Sequence, residues 1–377
     1  MGIVHNSKLV WGIAHNGKKL KGLARNGKRI FPLDIRSTNT ATHNIDELNG
    51  DGNGNLWLDS TVVDGSTYIL TTDRNGNLSV SKIIDNKTLE APVISLTGPT
   101  TSYLPTGHIE TDHAGNIILA IVGIIAKFDL TKAGTNKVVW GKQYPDDDFV
   151  PNRIAIDSEN GIVVVGTGSN IFAYYYDKDG NYKAQMGLSN TIGEAVAIDA
   201  DDNIYIGFDL YYNGESQDGI IKYSPQLTAR LEDWNFSLTS MPTAMIICND
   251  FVYVSTYGDG ASDSLFRVTL NSETGQLDKS YSTPNNARCL DMFFDRGGFI
   301  HFLWCNNTNS QINIQKCDWD GTSVWVSETV NAKGARASMD SKGVIYVISP
   351  YDINGSTTQD VTALSVGKDV SGIPSVK

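Results

Sequence analysis

The residues in this chain most suited to chemistry are its clustered carboxylates and amides. D-x-[DN]-x-N occurs at Asp51/Asn53/Asn55, Asp73/Asn75/Asn77, Asp177/Asp179/Asn181 and Asp199/Asp201/Asn203. Such oxygen donors suit calcium, but an EF-hand loop also needs a bidentate Glu at its twelfth position. Val62, Ile84, Leu188 and Leu210 stand there instead. Asx side chains also accept hydrogen bonds in tight turns, and all four copies are read as turns. The six histidines form neither H-x-H nor H-E-x-x-H, so no zinc-protease pattern is present. Cys248, Cys289, Cys305 and Cys317 form no C-x-x-C and are expected as buried free thiols. No metal and no cofactor is expected.

The elements that would position such residues are short strands on a long repeat. An Asp precedes the first apolar residue of a strand by five positions at Asp51/Leu56, Asp112/Ile117, Asp157/Ile162, Asp199/Ile204, Asp295/Ile300 and Asp340/Ile345. Ile247/Val252 keeps the frame without the Asp. Successive spacings are 61, 45, 42, 48, 48 and 45, the size of four-stranded propeller units. A bulky column follows each strand start: Trp57, Ile118, Val163, Tyr205, Tyr253, His301 and Tyr346. It suits packing between blades. Thirty-six Gly against 11 Pro fit many tight turns, and 40% hydrophobic residues suffice for a packed core. The expected fold is all-β: a seven-bladed β-propeller over 34–377, preceded by a short β-turn repeat over 1–33. The third strand of the last blade is read at 361–366. Its fourth strand is read either at 372–376 or, as slightly favoured, around Arg29–Arg36.

The N-terminal segment repeats every ten residues as GIVHNSKLVW, GIAHNGKKLK and GLARNGKRIF. Asn-Gly between short apolar stretches predicts hairpins, because a type I′ turn needs positive φ at both central residues. One such unit cannot cover its own apolar face, so stacking or a partner must. Residues 1–33 carry seven basic side chains and no acidic one, and the rest of the chain has a net charge of −19. The acidic body argues against nucleic acid as a partner of the main domain. The residues read as partner-docking are His5, Lys8, Trp11, His15, Lys18, Lys19, Lys21, Arg25, Lys28 and Arg29. No apolar run approaches a membrane span and no signal-peptide pattern opens the chain, so neither membrane insertion nor export by that route is expected.

Two resemblances follow from these residues. The blade pattern over roughly 42–366 resembles NHL-type and related quinoprotein-like propellers, which implies the fold and little about function. KFDLTKAGTNKVVW (127–140) resembles a quinoprotein blade motif whose Gly and Trp dock neighbouring blades. DWDGTSVW (318–325) approaches a sialidase-type Asp-box, but Trp319 replaces its Asp. IAHNGKKL and LARNGKRI resemble the HNGK-type repeats of tailed-bacteriophage tail and fibre proteins. That likeness implies a virion protein with an N-terminal attachment segment.

A catalytic propeller would gather carboxylates on its axis around a metal. The column four before each frame position is Glu47, His108, Arg153, Ala195, Thr243, Asp291 and Arg336, a charge-balanced rim. His108 with Glu110 or Asp291 is the least implausible acid/base pair. Loops between second and third strands at 209–218, 257–263, 305–311 and 350–360 are long and polar. They would bring Tyr211, Tyr212, Asn213, Tyr257, Asp259, Asn306, Asn307, Tyr351, Asp352 and Asn354 to one face, chemistry suited to a host glycan or protein. The expected function is a non-enzymatic structural or receptor-binding virion component, made in the host cytoplasm. It would dock to other virion proteins through residues 1–31, in an oligomer or alone. The alternatives are a saccharide or lactone hydrolase or lyase with an axial metal, and a cellular interaction scaffold.

Overall fold

The computed structural model describes residues 56–348 apart from 73–76, 85–87, 98–106, 213–214, 258–264, 271–273, 282–287, 296–297, 307–310, 331–335 and a few isolated positions. It also describes the strand backbones of Thr40–Asn44, Val361–Val366 and three N-terminal hairpins. The chain is a β-propeller. Blade A pairs Gly107–Thr111, Ile117–Ile121, Ile124–Phe128 and Val138–Gln143 in that order, inside to outside. Blade B runs through Val150–Ile156, Ile162–Thr167, Ile171–Tyr176 and Tyr182–Gly187, and blade C through Thr191–Ile198, Ile204–Tyr212, Glu215–Tyr223 and Arg230–Leu238. Blade D holds Pro242–Cys248, Phe251–Thr256, Leu265–Thr269 and Gln276–Tyr281. Blade E holds Arg288–Phe294, Ile300–Cys305, Ile312–Cys317 and Ser323–Val326. Blade F joins Arg336–Met339, Val344–Ile348 and Val361–Val366 to Thr40–Asn44.

The expected seven copies of one four-stranded unit are corrected to six. The first sheet has five strands: Leu56–Val63, Ser66–Thr72 and Leu78–Ile84, with Thr88–Leu89 and Ile94–Leu96 both pairing to the last. The sequence frame also fails here. Leu56 opens the innermost strand of this sheet, not the second. The residue just past an inner strand, Asp112 or Asp157 elsewhere, is here Asp64. It forms a two-residue turn with Gly65, at φ 47° and 76°. Positive φ at both positions is the type I′ requirement, so the longer Asp-x-x-Gly-Asn turn is absent. Measured from Asp64, the anomalous interval of 61 becomes 48, within the range of the others.

Inner strands pack in a circuit: Leu56–Val63 on Gly107–Thr111, then blade to blade until Arg336–Met339 returns to Leu56–Val63. The apolar core lies between the sheets. Ile118, Ile125, Ile162 and Tyr174 share one cluster between blades A and B, and Val163, Ile204 and Ile221 share one between B and C. Ile69, Tyr346 and Ile348 join blade F to the five-stranded sheet. Ile118, Val163, Tyr205, Tyr253, His301 and Tyr346 of the bulky column are buried, and the Trp57 side chain lies outside the described residues. Burial of an aliphatic side chain such as Ile118 or Val163 contributes roughly 1.5–3 kcal/mol. The four cysteines are buried and free.

The ring is sealed by the N-terminal part of the chain. Thr40–Asn44 pairs antiparallel to Val361–Val366 as the outer strand of blade F. The sealing strand thus lies C-terminal to the expected Arg29–Arg36, and residues 372–376 lie outside the described residues. Further upstream, Gly2–His5 pairs Lys8–Trp11, Ala14–His15 pairs Lys18–Lys19, and Leu23–Arg25 pairs Lys28–Phe31. These three hairpins follow the ten-residue repeat. No helix among the described residues is long and apolar enough to cross a membrane.

Candidate functional site

The repeated acidic motifs are consumed in turns. Asp112 Oδ1 accepts the amides of Ala114 and Asn116 at 2.9 and 2.8 Å. Asp177 does the same for Asp179 and Asn181, and Asp199 for Asp201 and Asn203. Each carboxylate closes the turn between consecutive strands, leaving little for a metal. The outer oxygen then reaches the third strand. Lys127 meets Asp112 at 2.6 Å and Lys316 meets Asp295 at 2.7 Å, both largely buried, while the Tyr175 hydroxyl donates to Asp157 at 2.6 Å. In blade D, where Ile247 replaces the Asp, Arg267 donates instead to Asp278 at 2.6 Å and to the Asp320 carbonyl. The motif at 127–140 has a docking role: Trp140 donates its indole N–H to the Lys178 carbonyl at 3.1 Å and lies on Gly180 of blade B. Asp51 and its motif lie outside the described residues, as do Asp73 and Asn75.

The polar side chains on the axis come from inner strands. Arg153 of blade B donates to the Thr243 carbonyl of blade D at 3.0 Å and lies 3.7 Å from Asp291 of blade E. One side chain that reaches both blades must cross the axis. His108 faces Asp59, 3.1 Å away, so the expected pairing with Glu110 or Asp291 is corrected. Glu110 instead accepts the Thr111 amide at 2.8 Å and the Thr61 hydroxyl at 3.3 Å. Burial pushes Glu110 up to about 7 and Asp291 up to about 6, the latter despite the nearby Arg153. Burial, reinforced by Asp209, likewise pushes Glu194 up to about 7. His301 stacks on Phe293 at 5.0 Å, and burial pulls it down to about 4, so it packs as a neutral ring.

A cavity of about 200 Å³ opens at the start of these strands, lined by Asn152, Glu194, Thr243 and Leu290 with Met241, Pro242 and Arg336. The first four share an origin. The inner-strand register slips between Pro151 and Arg153, Gly193 and Ala195, Pro242 and Ala244, and Cys289 and Asp291. The skipped residues are Asn152, Glu194, Thr243 and Leu290. A β-bulge leaves its extra residue outside the ladder and re-aims its side chain. Four successive blades therefore turn one bulged residue each into one cavity. The bulges are laced together: Asn152 donates to the Gly193 carbonyl at 3.0 Å and Thr243 to the Cys289 carbonyl at 3.2 Å. Gly166 opposes the first bulge, where a Cβ would meet the Val150 carbonyl at 2.1 Å. The axial column read from the sequence named Ala195 in blade C. The bulge turns Glu194 inward in its place, and a fixed offset cannot register that slip. Glu47 lies outside the described residues.

Of the residues read as a loop face, Tyr257 is half exposed at the end of its strand, with the Arg288 guanidinium 4.1 Å from its ring centre. Asn306 closes its loop, its amide donating to the Gln311 carbonyl at 2.9 Å and its side chain accepting from Gln311 at 3.2 Å. The segment 209–218 is not a loop. Its strands continue to Tyr212 and resume at Glu215, with Tyr211 opposite Ser216. Asn213-Gly214 is the two-residue connection, and that dipeptide favours an extended hairpin. Asn213, Asp259, Asn307, Tyr351, Asp352 and Asn354 lie outside the described residues. In the hairpin ladder, His5 pairs with Lys8, His15 with Lys18 and Arg25 with Lys28, while Trp11, Lys19 and Arg29 lie on the return strands. Lys21 lies outside the described residues. Among the described residues, Asp146, Asp147 and Asp148 bring carboxylate oxygens within 4.8 Å of one another. Asp146 uses both of its oxygens on the Asp148 and Ser169 amides.

No protein-family model matches this chain, and no curated protein matches its sequence. Solved structures do match its fold. A chain of the mitotic checkpoint complex is similar at TM-score 0.60 and 9% identity, covering 92% of this chain and 97% of that one. The Dos1 propeller is similar at TM-score 0.55 and 12% identity, covering 82% of this chain and 78% of that one. The extracellular domain of the putative hybrid two-component system BT4673 from B. thetaiotaomicron is similar at TM-score 0.55 and 13% identity, over 88% and 43% of the two chains. At such identities the likeness is one of fold alone.

Proposed function

We propose that this chain is a non-enzymatic binding component of a tailed-phage virion, docked by its N-terminal ladder and displaying its propeller. The observation that carries this reading is the ladder itself. Three hairpins in register, each only a few residues long, set His5, His15 and Arg25 opposite Lys8, Lys18 and Lys28. Units this small gain stability from stacking or from a partner surface. Their charge, seven basic residues and no acidic one, favours an acidic partner. We further infer that the five-stranded sheet serves as the seventh member of the ring, giving seven blades. Deleting residues 1–31 spares the sealing strand. The truncated protein should fold and stay soluble but no longer join particles, scored by co-sedimentation with virions. Normal incorporation would overturn the docking reading.

A second reading, a saccharide or lactone hydrolase or lyase, is favoured by one observation: Asp59, Glu110 and Asp291 converge near His108 and Arg153. Elemental analysis of the purified protein separates the two. One tightly held divalent metal per chain favours the enzyme, and none favours display.

A further inference from the structure

The bulge-lined cavity contains a carboxylate with too few partners. Glu194 is partly buried, and one long hydrogen bond, 3.4 Å from the Asn152 amide, is its only hydrogen bond among the described residues. A partly buried carboxylate with one weak partner has acceptor capacity to spare, so the arrangement favours a ligand that supplies donors. The lining around it is mixed. Asn152, Thr243 and Arg336 are polar, while Met241, Pro242 and Leu290 are apolar. One carboxylate and one guanidinium leave the lining near neutral. Hydroxyl groups are the donors that match a carboxylate and an amide without adding charge. The volume, about 200 Å³, lies below the roughly 300–1,000 Å³ of sites for drug-sized ligands, so it suits a single ring.

The mouth continues this chemistry. The Tyr257 amide donates to the carbonyl of Met241, a wall residue, at 2.8 Å. Arg288, stacked on Tyr257, stands two positions before Leu290, another wall residue. Pro242 pairs with Thr256 and Arg288 with Cys305, so the cavity opens at the end of the ring where second strands finish. Tyr257 therefore offers a half-exposed ring on a residue whose backbone is bonded to the cavity wall. Aromatic rings commonly cover the apolar face of a ligand whose edges are hydrogen-bonded below.

We propose that the bulge-lined cavity and Tyr257 form a binding site for one terminal saccharide unit, its hydroxyls donating to Glu194 and its ring lying against Tyr257. This deepens the display reading by giving the propeller a ligand class, and it is independent of the ladder. The bulges form a preorganised floor, because the Asn152 and Thr243 side chains are already tied to the next blade. No covalent step is involved.

The test uses the full-length chain and a panel of methyl glycosides: hexoses, N-acetylhexosamines, deoxyhexoses and hexuronates. Ligand-detected NMR and calorimetry read binding in wild type, Glu194→Gln and Tyr257→Ala, with thermal melts confirming that each variant is folded. At least one glycoside should bind, and each variant should weaken it tenfold or more. Binding that is unchanged in both folded variants, or a wild type that binds no panel member, overturns the site. Hydrolysis of a glycoside would also overturn it, as a binding site without chemistry. Particle incorporation scored on the same variants separates the two proposals: loss of sugar binding with normal incorporation leaves the ladder reading standing.

Discussion

Asp112, Asp157, Asp199 and Asp295 each stand one residue past an inner strand and do two jobs. One oxygen closes the following turn, and the other meets a third-strand Lys or Tyr, that of Asp199 also accepting from Tyr205 of the second strand. Removing the Lys127 ammonium would leave the Asp112 carboxylate buried beside apolar neighbours. Lys127→Met should therefore cost about 3 kcal/mol in denaturant unfolding, at the lower end for broken buried pairs because four hydrogen bonds from Ala114 and Asn116 remain. Glu110 behaves oppositely. Its folded pKa lies above the unfolded value, so protonation favours the folded chain. That contribution is complete below about pH 4.5 and is lost as pH rises through about 7. Glu110→Gln has no proton to lose. Urea melts should show a shallower fall in stability between pH 5 and 8 for the variant, which should be about 1–3 kcal/mol more stable than wild type at pH 8. An unchanged slope would count against a buried, protonatable Glu110.

Among elements, blade-to-blade contact depends on turn glycines. Gly180 has φ +78°, and a Cβ there would lie 2.5 Å from the Trp140 ring. Gly180→Ala should therefore destabilise by about 2–4 kcal/mol, seen as a lower melting temperature. The sealing strand gives a second test. Deleting residues 1–31 should leave the melting temperature within a few degrees, whereas deleting 1–44 strips blade F of its outer strand. The longer deletion should melt lower and be cut by protease within Val361–Val366. Most of this architecture was legible because Asp-x-x-Gly-Asn turns and alternating apolar strands carry their own signal. Three features were not. The first sheet replaces the long turn with Asp64-Gly65, so counting from Asp51 shifted its strands. Asn213-Gly214 extends a hairpin through polar residues that otherwise read as a loop. The inner-strand bulges move Glu194 onto the axis, and a bulge has no sequence signature of its own at Gly193–Ala195. The cavity is therefore invisible in the sequence, although the polar loop pattern points to its neighbour Tyr257.

At the scale of the whole molecule, charge is divided between two parts. The ladder carries all seven basic residues of its segment, and the body without it has a net charge of −19. Self-repulsion of that magnitude is screened by salt. The variant lacking 1–31 should gain more thermal stability than the full chain between 0.02 and 0.5 M NaCl, by a few degrees. Equal gains would mean that the ladder does not offset the body's charge.

The pairing of Asn44 with Thr362 also sets a timetable. On the ribosome the strand that seals the ring is made about 300 residues before its partner, and contacts so far apart in sequence form slowly. Until that partner is made the nascent chain therefore carries an unpaired sealing strand and an open fan of sheets. Ring closure becomes possible only once Val361–Val366 has left the exit tunnel, so a stalled or prematurely terminated chain is left with an unsealed edge open to the strands of its neighbours.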